Sequence, residues 1–418
     1  MNPQPLDVSD ISPSAAPSPA PVSDAWKAFN GTSNRGVLGE VLALQDFEPL
    51  ARSRLPRCIY GYVSGASETR QSWHDNLRAF EHWGFVTRVL RNVATRSQST
   101  LLFGREWSSP FGIAPMGLAA LSTYQGDRVL AQAAAQANIP FIISGTALTP
   151  LETLVKDAPH SWFQAYLPGE QMRIDALVDR VKAAGIATLV ITVDIPVAGN
   201  RENNIRSGFS TPLRPSVRLA WDGLSHPRWL VGTFMRTLAD GMPHFENSFA
   251  ERGAPVVSRH VERDFSRREH LDWGHIERIR QRWPGHLVIK GILSPQDAQQ
   301  ARALGADGVI VSNHGGRQLD GAVSPLRVLP EIVHAVGDFP VMVDGGIRRG
   351  SDVLKAQALG ARFVFLGRPF NFAAAVAARA GVSHAIGLLQ AEVDRNLAML
   401  GVESPAELNP DFLRPLGI

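Results

Sequence analysis

The chain has 418 residues, of which 44% are hydrophobic and 19% are charged, a composition typical of a folded protein with a substantial core. Its 42 basic and 39 acidic residues leave a net charge of +3, which is too small an excess to indicate a nucleic-acid-binding protein. The single cysteine, Cys58, excludes an internal disulfide and a cysteine-based metal site, and its apolar neighbours predict a buried, unreactive thiol.

The first 35 residues are rich in Pro, Ser and Ala and contain few large apolar side chains. This composition predicts a disordered tail over 1–35, followed by one domain over 36–418. The N-terminus shows no charged start followed by an apolar run, and no stretch approaches 18 consecutive apolar residues. We therefore expect a cytoplasmic protein with neither a signal peptide nor a membrane-spanning helix.

From residue 111 onward, short apolar runs alternate with longer amphipathic stretches, a rhythm that predicts strands alternating with helices. The predicted strands are 111–116, 140–144, 162–166, 188–194, 286–291, 308–313, 340–345 and 363–367. The predicted helices are 127–138, 172–185, 294–305, 324–337 and 351–360. Eight buried strands of this kind predict a parallel sheet closed into a single (β/α)8 TIM barrel of the α/β class. The alternative is a doubly wound open sheet, which usually has fewer units and a glycine fingerprint after its first strand that is absent here.

The interval between the fourth and fifth predicted strands, 195–285, is about 90 residues long and forms an insertion. Within it, segment 212–250 interleaves Trp, Leu, Phe and Met with Arg and His. One interpretation is a helical excursion that packs on the barrel. Another is an interfacial membrane segment with its apolar side chains at the lipid boundary and its arginines near the headgroups. A protein partner or a subunit interface is the third.

Polar residues that follow the predicted strands are candidates for an active site, because barrels of this class place their sites at the C-terminal strand ends. The motif SNHGGRQLD follows the sixth strand and supplies His314 and Arg317. A histidine can take a proton from a hydroxyl group, and an arginine fork can hold a carboxylate through two hydrogen bonds. Asp194 and Arg201 follow the fourth strand, where a second arginine would complete a carboxylate clamp and an aspartate would orient the imidazole. Taken alone, Asp194 could equally cap a loop or helix.

The last two strands are followed by glycines and arginines that predict a phosphate site. DGGIRRGSD supplies Gly345, Gly346 and Arg348, and FLGRPF supplies Gly367 and Arg368. Backbone amides and guanidinium groups at this end of a barrel commonly bind phosphate. Lys290 lies at the end of the fifth strand, where it could stabilise the negative charge of a reduced flavin or form a salt bridge across the barrel mouth.

The motifs SNHGGRQLD and DGGIRRGSDVLKAQALGA resemble the FMN-dependent 2-hydroxy-acid dehydrogenase and oxidase family, and the likeness runs from about residue 40 to 405. The resemblance implies FMN as the cofactor and oxidation of an (S)-2-hydroxy acid to the 2-keto acid. It implies His314 as the base, Asp194 as its orienting partner, Arg201 and Arg317 as the carboxylate clamp, and Tyr62 and Tyr166 as tyrosines that contact the substrate. It places Pro115, Met116, Gly117, Ser144, Gln164, Thr192, Lys290 and Ser312 at the flavin ring, and Asp344, Gly345, Gly346, Arg348, Gly367 and Arg368 at the ribityl phosphate.

Three departures from the pattern of glycolate oxidases bear on the substrate and the electron acceptor. Thr146 occupies the position of a large tryptophan and Ala198 that of a leucine, which implies L-lactate, a longer aliphatic acid or a mandelate-like substrate. Gly117 stands where oxidases usually carry alanine and quinone-reducing members carry glycine. The resemblance therefore favours a dehydrogenase that passes electrons to a quinone, with a soluble oxidase that uses O2 and produces H2O2 as the alternative. It also implies a homotetramer. The arginine- and tryptophan-bearing insertion, for its part, predicts peripheral contact through 212–250 at the inner face of the cell membrane.

Two other classes of function remain open at this point. A phosphate-binding barrel of different chemistry, such as a sugar-phosphate isomerase, would use the same glycines but would not need the two arginines of the clamp. A catalytically silent surface or scaffold protein would tolerate the loss of His314 or of the arginines, yet all of them are present.

Overall fold

The computed structural model describes residues 36–210, 213–214, 216–257 and 268–417. The predicted tail, 1–35, lies outside these residues. Eight parallel strands, labelled β1 to β8, form one sheet. They are β1 (Phe111–Ile113), β2 (Ile142–Ser144), β3 (Trp162–Ala165), β4 (Thr188–Thr192), β5 (His286–Ile292), β6 (Gly308–Val311), β7 (Val341–Asp344) and β8 (Phe363–Leu366). Each lies within or closely matches one of the eight predicted strands.

The order of the strands closes the sheet into a barrel. Neighbouring strands run β1-β8-β7-β6-β5-β4-β3-β2. An isolated parallel bridge between Ile113 and Phe141 joins β1 to the start of β2. The predicted (β/α)8 barrel is therefore confirmed, and the open doubly wound sheet is excluded.

The barrel helices bury one apolar face against the strands. In Pro325–Val336, for example, the buried residues Leu326, Leu329, Ile332 and Val336 recur every three or four positions. The helices are Gly126–Gln136, Leu151–Asp157, Gln171–Ala183, Trp273–Arg282, Pro295–Ala303, Pro325–Val336, Gly350–Ala358 and Arg368–Leu400. All five predicted helices are among them.

A short hairpin closes the N-terminal end of the barrel. Its strands, Thr100–Leu102 and Arg105–Trp107, pair antiparallel. Leu102 and Trp107 pack on the side chains that fill the barrel interior, including Trp162 and Phe365. The opposite end, where the strands finish, is the one that can hold a ligand.

Further helices lie outside the barrel repeat. The N-terminal ones are the 3₁₀ turns Val37–Glu40 and Leu44–Asp46 and the helices Phe47–Arg54, Arg57–Ser64 and Gln71–Arg78. The short helix Ala119–Ser122 follows β1. Between β4 and β5 lie Glu202–Ser207, Val217–Leu224 and a continuous run of Pro227–Trp229, a π-helical turn Leu230–Met235 and Arg236–Ala239. Near the C-terminus, the 3₁₀ turns Pro405–Glu407 and Pro410–Phe412 precede a strand, Leu413–Pro415, that pairs antiparallel with Trp83–Phe85.

Helix Arg368–Leu400 is long and apolar enough to cross a membrane by length and composition, although it contains no run of 18 consecutive apolar residues. Its most apolar window is 61% buried inside the protein. Its helical geometry breaks at Ala377 and Ala378. Because Ile386, Leu389 and Val393 pack into the hydrophobic core, we assign it as a core helix of the barrel.

Candidate active site

A cavity of about 890 Å³ opens at the C-terminal ends of the barrel strands. Its size suits a cofactor together with a small substrate. Most of the predicted site residues line it, namely Tyr62, Pro115, Met116, Gly117, Tyr166, Thr192, Arg201, Lys290, His314, Arg317, Asp344, Gly345, Gly346, Arg348, Gly367 and Arg368. The other four lie behind this wall: Ser144, Gln164, Asp194 and Ser312.

His314 stands on the loop after β6 in a conformation fixed by its neighbours. Its φ is +57°, a left-handed value that non-glycine residues rarely adopt, and its backbone N–H donates to Ser312 Oγ at 3.0 Å. The ring Nδ1 lies 3.1 Å from Asp194 Oδ1. Because Nδ1 is engaged by the carboxylate, Nε2 is the ring nitrogen left for a substrate.

The charges around this pair favour a neutral imidazole beside an ionised carboxylate. Burial lowers the pKa of His314 below its ordinary value, Lys290 and Arg201 act in the same direction, and Asp194 opposes them. Burial alone would raise the pKa of Asp194, but attraction to His314 and Lys290 outweighs it and keeps that pKa below its ordinary value. A neutral histidine is the form that can accept a proton.

Two arginines on neighbouring loops are held by neutral oxygens. Arg317 Nη1 donates to the carbonyls of Tyr62 and Gly65 at 2.9 and 2.8 Å. Arg201 Nε donates to the Arg317 carbonyl at 3.0 Å, and its Nη2 donates to Gln318 Oε1 at 2.6 Å. Burial, followed by repulsion from Arg201, lowers the pKa of Arg317 to about 10. Within the described ranges neither arginine pairs with a carboxylate, so this part of the cavity carries positive charge suited to an anionic group.

Two tyrosines flank the arginines and the histidine. The Tyr62 ring stacks on Phe209 at 4.4 Å between centroids, and the Arg317 guanidinium lies 5.1 Å from the Tyr62 ring. The Tyr166 ring lies 6.4 Å from the His314 ring. Burial raises the pKa of Tyr166, so its phenol stays protonated and can donate a hydrogen bond.

The ends of β7 and β8 form a cationic cradle. Arg368 Nη2 donates to the carbonyls of Gly65 and Gly315 at 2.8 and 3.0 Å. Burial, with repulsion from Arg317 and Arg348, lowers the pKa of Arg368. A Cβ at Gly346, whose φ is +82°, would lie 1.9 Å from the Asn76 carbonyl oxygen, so only glycine fits there. Buried guanidinium groups without an acidic partner in the described residues fit a phosphate dianion.

Unpartnered polar atoms mark another edge of the cavity. Lys290 Nζ lies 2.9 Å from Asp344 Oδ2 and donates to Ser312 Oγ at 2.7 Å, so the predicted salt bridge across the barrel mouth is present. Asp344 Oδ1, Gln164 Nε2 and Thr192 Oγ1 are buried without a hydrogen-bond partner among the described residues. Buried polar groups normally have partners, so these atoms fit the polar edge of a bound ring system. Together with the cationic cradle, they fit a flavin mononucleotide.

Several residues of the site escaped the sequence interpretation. The carbonyls of Val63 and Gly65 hold Arg317 and Arg368 but carry no recognisable side-chain signal. Gln318 lies inside the quoted motif next to Arg317, and its position could have identified it as a ligand of Arg201. Val197 and Ile205 were missed as well; with Ala198, which the sequence analysis did name, they line the cavity and give it an apolar wall.

Comparisons with known proteins agree with this geometry. A sequence model of the FMN-dependent dehydrogenase family matches residues 51–415. The chain is 37% identical over 382 residues to (S)-mandelate dehydrogenase of Pseudomonas putida, covering 90% of this chain and 94% of the relative. It is 39% identical over 383 residues to L-lactate dehydrogenase of Ectopseudomonas mendocina, covering 89% and 98%. A crystal structure of the monotopic membrane protein (S)-mandelate dehydrogenase superposes with a TM-score of 0.84 and 36% identity, covering 90% of this chain and all of the other. A mandelate oxidase structure with (S)-2-phenylpropionate gives a TM-score of 0.74 and 34% identity, covering 90% and 98%.

Proposed function

Because the chain belongs to the FMN-dependent dehydrogenase family, we propose that its cavity oxidises an (S)-2-hydroxy acid with an apolar side chain to the 2-keto acid and that the electrons pass to a quinone. The observation that carries the proposal is the meeting of the His314–Asp194 pair with Arg201 and Arg317, which lack carboxylate partners in the described residues. A base beside an anion clamp is what a hydroxy acid requires.

FMN, when bound, accepts the two electrons that leave the substrate. Arg348 and Arg368 would hold its phosphate with the amides of Gly345, Gly346 and Gly367. Asp344 ends β7, and its carboxylate pairs with Lys290 near the end of β5 at the same mouth of the barrel. The ring would lie against Pro115, Met116 and Gly117, with Ser144, Gln164, Thr192, Lys290 and Ser312 around its polar edges.

In this proposal the substrate carboxylate binds Arg201 and Arg317, while Tyr62 and Tyr166 complete its orientation. Such positioning lowers the entropic cost of the reaction. His314 Nε2 removes a proton, and the ionised Asp194 on Nδ1 stabilises the resulting imidazolium. His314 has this role in either order of events. The proton comes from the hydroxyl group if C2 loses a hydride, or from C2 itself if a carbanion forms first and then loses its electron pair.

The apolar wall of Val197, Ala198 and Ile205, together with Thr146, supports a side chain larger than hydrogen at C2. A stopped-flow panel of lactate, longer aliphatic 2-hydroxy acids and mandelate tests the proposal through bleaching of the flavin absorbance near 450 nm. We expect the (S) enantiomers with larger side chains to bleach it faster than glycolate. A protein purified without that absorbance, or one that glycolate reduces fastest, would contradict the proposal.

We also propose that the protein contacts the cytoplasmic face of a membrane, and a second observation supports the contact itself. Helix Val217–Leu224 turns an apolar stripe outward, with Val217 89%, Trp221 73% and Leu224 60% exposed. The run that follows repeats the pattern with Val231, Phe234, Met235 and Leu238, which are also exposed. Segment 212–250 carries four arginines against two aspartates and one glutamate. An outward apolar stripe with flanking arginines is typical of a helix lying in the lipid interface.

Point substitutions test this contact without removing the insertion. The double variant Trp221→Ser/Val231→Ser is expected to lose most of its binding to liposomes that contain anionic lipid and to lose turnover with a long-chain quinone. Its flavin reduction by the hydroxy acid should be unchanged. Met172→Ser, an equally exposed apolar position on a barrel helix, serves as the control. Unchanged liposome binding by the double variant would exclude the contact and favour the soluble oxidase, which would show rapid reoxidation by O2.

We also propose a homotetramer on the basis of the family resemblance. Light scattering during size-exclusion chromatography in detergent-free buffer distinguishes a tetramer of the 45.4 kDa chain from a monomer or dimer.

A further inference from the structure

One carboxylate of the insertion reaches back to the helix that presents Tyr62. Asp222, on helix Val217–Leu224, accepts hydrogen bonds from the backbone N–H groups of Arg57 and Cys58 at 3.0 and 3.1 Å. These N–H groups belong to the first turn of helix Arg57–Ser64. The residue before that helix, Pro56, supplies no side-chain cap. Asp222 therefore caps a helix that is more than 150 residues away in sequence.

The capped helix positions several groups of the active site. Tyr62 lies in its last turn, and the carbonyls of Tyr62 and Gly65 hold Arg317 Nη1. The Gly65 carbonyl also accepts from Arg368. A shift of this helix would move one substrate tyrosine, one arginine of the carboxylate clamp and one arginine of the phosphate cradle together.

The helix that carries Asp222 has two opposite faces. Trp221 and Leu224 point outward, whereas Asp222 and Gly223 face the protein. Trp229, on the adjoining run, donates through Nε1 to the Leu121 carbonyl at 2.7 Å. The exposed apolar stripe and the cap of the Tyr62 helix are thus two sides of one eight-residue helix.

We propose that Asp222 is a positioning residue for the oxidation: by capping helix Arg57–Ser64 it fixes Tyr62 and Arg317 against the substrate and joins the exposed insertion to the active site. Its effect on substrate binding rests on the proposed function of the cavity. Its effect on the helix is independent of that function, because the hydrogen bonds from Arg57 and Cys58 to Asp222 involve no substrate or cofactor.

Cys58 offers a direct readout of this contact. It is the single cysteine of the chain and is buried, and its own N–H is one of the two groups that Asp222 accepts from. Burial, with a further contribution from Asp222, raises the pKa of this thiol to about 12. A thiol reagent therefore modifies Cys58 only when the first turn of the helix opens.

The experiment compares Asp222→Ala and Asp222→Asn with a matched control, Asp240→Asn, in the FMN-loaded full-length protein. Asp240 lies on the same insertion and accepts from Tyr124 OH at 2.5 Å, away from the Tyr62 helix. Three quantities are measured: the rate at which Ellman's reagent labels Cys58, the KM and kcat for the hydroxy acid, and the melting temperature. Labelling is followed as a function of pH, because removing Asp222 also lowers the pKa of the thiol and that effect must be separated from opening of the helix.

We expect Asp222→Ala to label about fivefold faster or more, the size of effect that a lost helix cap produces, with a raised KM and a smaller change in kcat. Asp222→Asn, which keeps one acceptor oxygen, should fall between Asp222→Ala and the wild type, and Asp240→Asn should match the wild type. Unchanged labelling and KM in Asp222→Ala would overturn the proposal. So would equal effects in Asp240→Asn, because they would show only a general loosening of the insertion. A wild-type protein that no hydroxy acid reduces would refute the proposed function while leaving the labelling result interpretable.

Discussion

Asp194 and His314 come from loops after two non-adjacent strands, β4 and β6, and meet with Oδ1 and Nδ1 3.1 Å apart. The carboxylate fixes which ring nitrogen faces the cavity and offsets part of the effect of burial on the imidazole. The pH dependence of catalysis follows from this relationship.

We predict that kcat/KM is constant at and above neutral pH and falls on the acid side, as His314 becomes protonated at a pKa below its ordinary value of 6.5. Asp194 raises the pKa of His314, so Asp194→Asn should move the acid limb to still lower pH while reducing the plateau. Initial rates across pH 4.5 to 9 measure both effects. An acid limb that moves to higher pH in the variant would contradict the proposed pairing.

Asp127 lies fully buried at the start of helix Gly126–Gln136, and its Oδ2 accepts from the N–H groups of Leu148 and Thr149 at 2.9 and 3.1 Å. Burial raises its pKa from 3.8 to about 6. The folded state therefore binds this proton more tightly than the unfolded state, and the stability from the protonated group is lost as the pH rises from about 4 through 6.

Asp127→Asn keeps an acceptor for both N–H groups and removes the buried charge. At pH 8 we expect it to raise the free energy of unfolding by up to about 3 kcal/mol, the equivalent of the pKa shift, and at pH 4 by little or nothing. Thermal unfolding at the two pH values tests this. A loss at pH 8 would show that the carboxylate is stabilised in its charged form, and equal gains at both pH values would show that the gain does not come from removing the buried charge.

The barrel was predictable because strands buried on both faces leave uninterrupted apolar runs, such as 189–191 and 308–311, and helices such as Pro325–Val336 keep a regular apolar spacing. His314 and Arg317 were recognisable from one motif. The cap that Asp222 provides and the carbonyls of Val63 and Gly65 were not. Such contacts join distant parts of the chain through a backbone N–H or carbonyl group. Because nearly every residue has these groups, the sequence does not indicate which of them form the contact.

Gly117 lies so close to the Thr146 side chain that a Cβ at Gly117 would be only 2.1 Å from Thr146 Oγ1. We predict that Gly117→Ala alone destabilises the protein by about 1–3 kcal/mol, the usual cost of overpacking, and lowers kcat/KM. Adding Thr146→Ala should restore much of both losses. A double-mutant cycle in melting temperature and kcat/KM measures the coupling, and strictly additive effects would show that the two side chains do not compete for the same space.

Lys290 and Asp344 form a buried ion pair with a 2.9 Å contact between Nζ and Oδ2. Lys290→Met leaves the carboxylate buried without its partner, which typically costs about 3–5 kcal/mol of stability. If Lys290 also faces the flavin, the midpoint potential of the bound FMN should be lower in the variant than in the wild type, because a positive charge favours the reduced ring. Dye-coupled potentiometry measures this, with Lys355→Met as a control away from the cavity. An unchanged potential in Lys290→Met would assign Lys290 to structure alone.

The central claim is that His314 accepts the substrate proton within this cavity. Stopped-flow mixing of His314→Ala with saturating (S)-2-hydroxy acid, under anaerobic conditions, tests it most directly. We expect a yellow, FMN-loaded protein with a near-native melting temperature whose bleaching is slower by about 10²–10⁴-fold. Bleaching at the wild-type rate by that protein would contradict it.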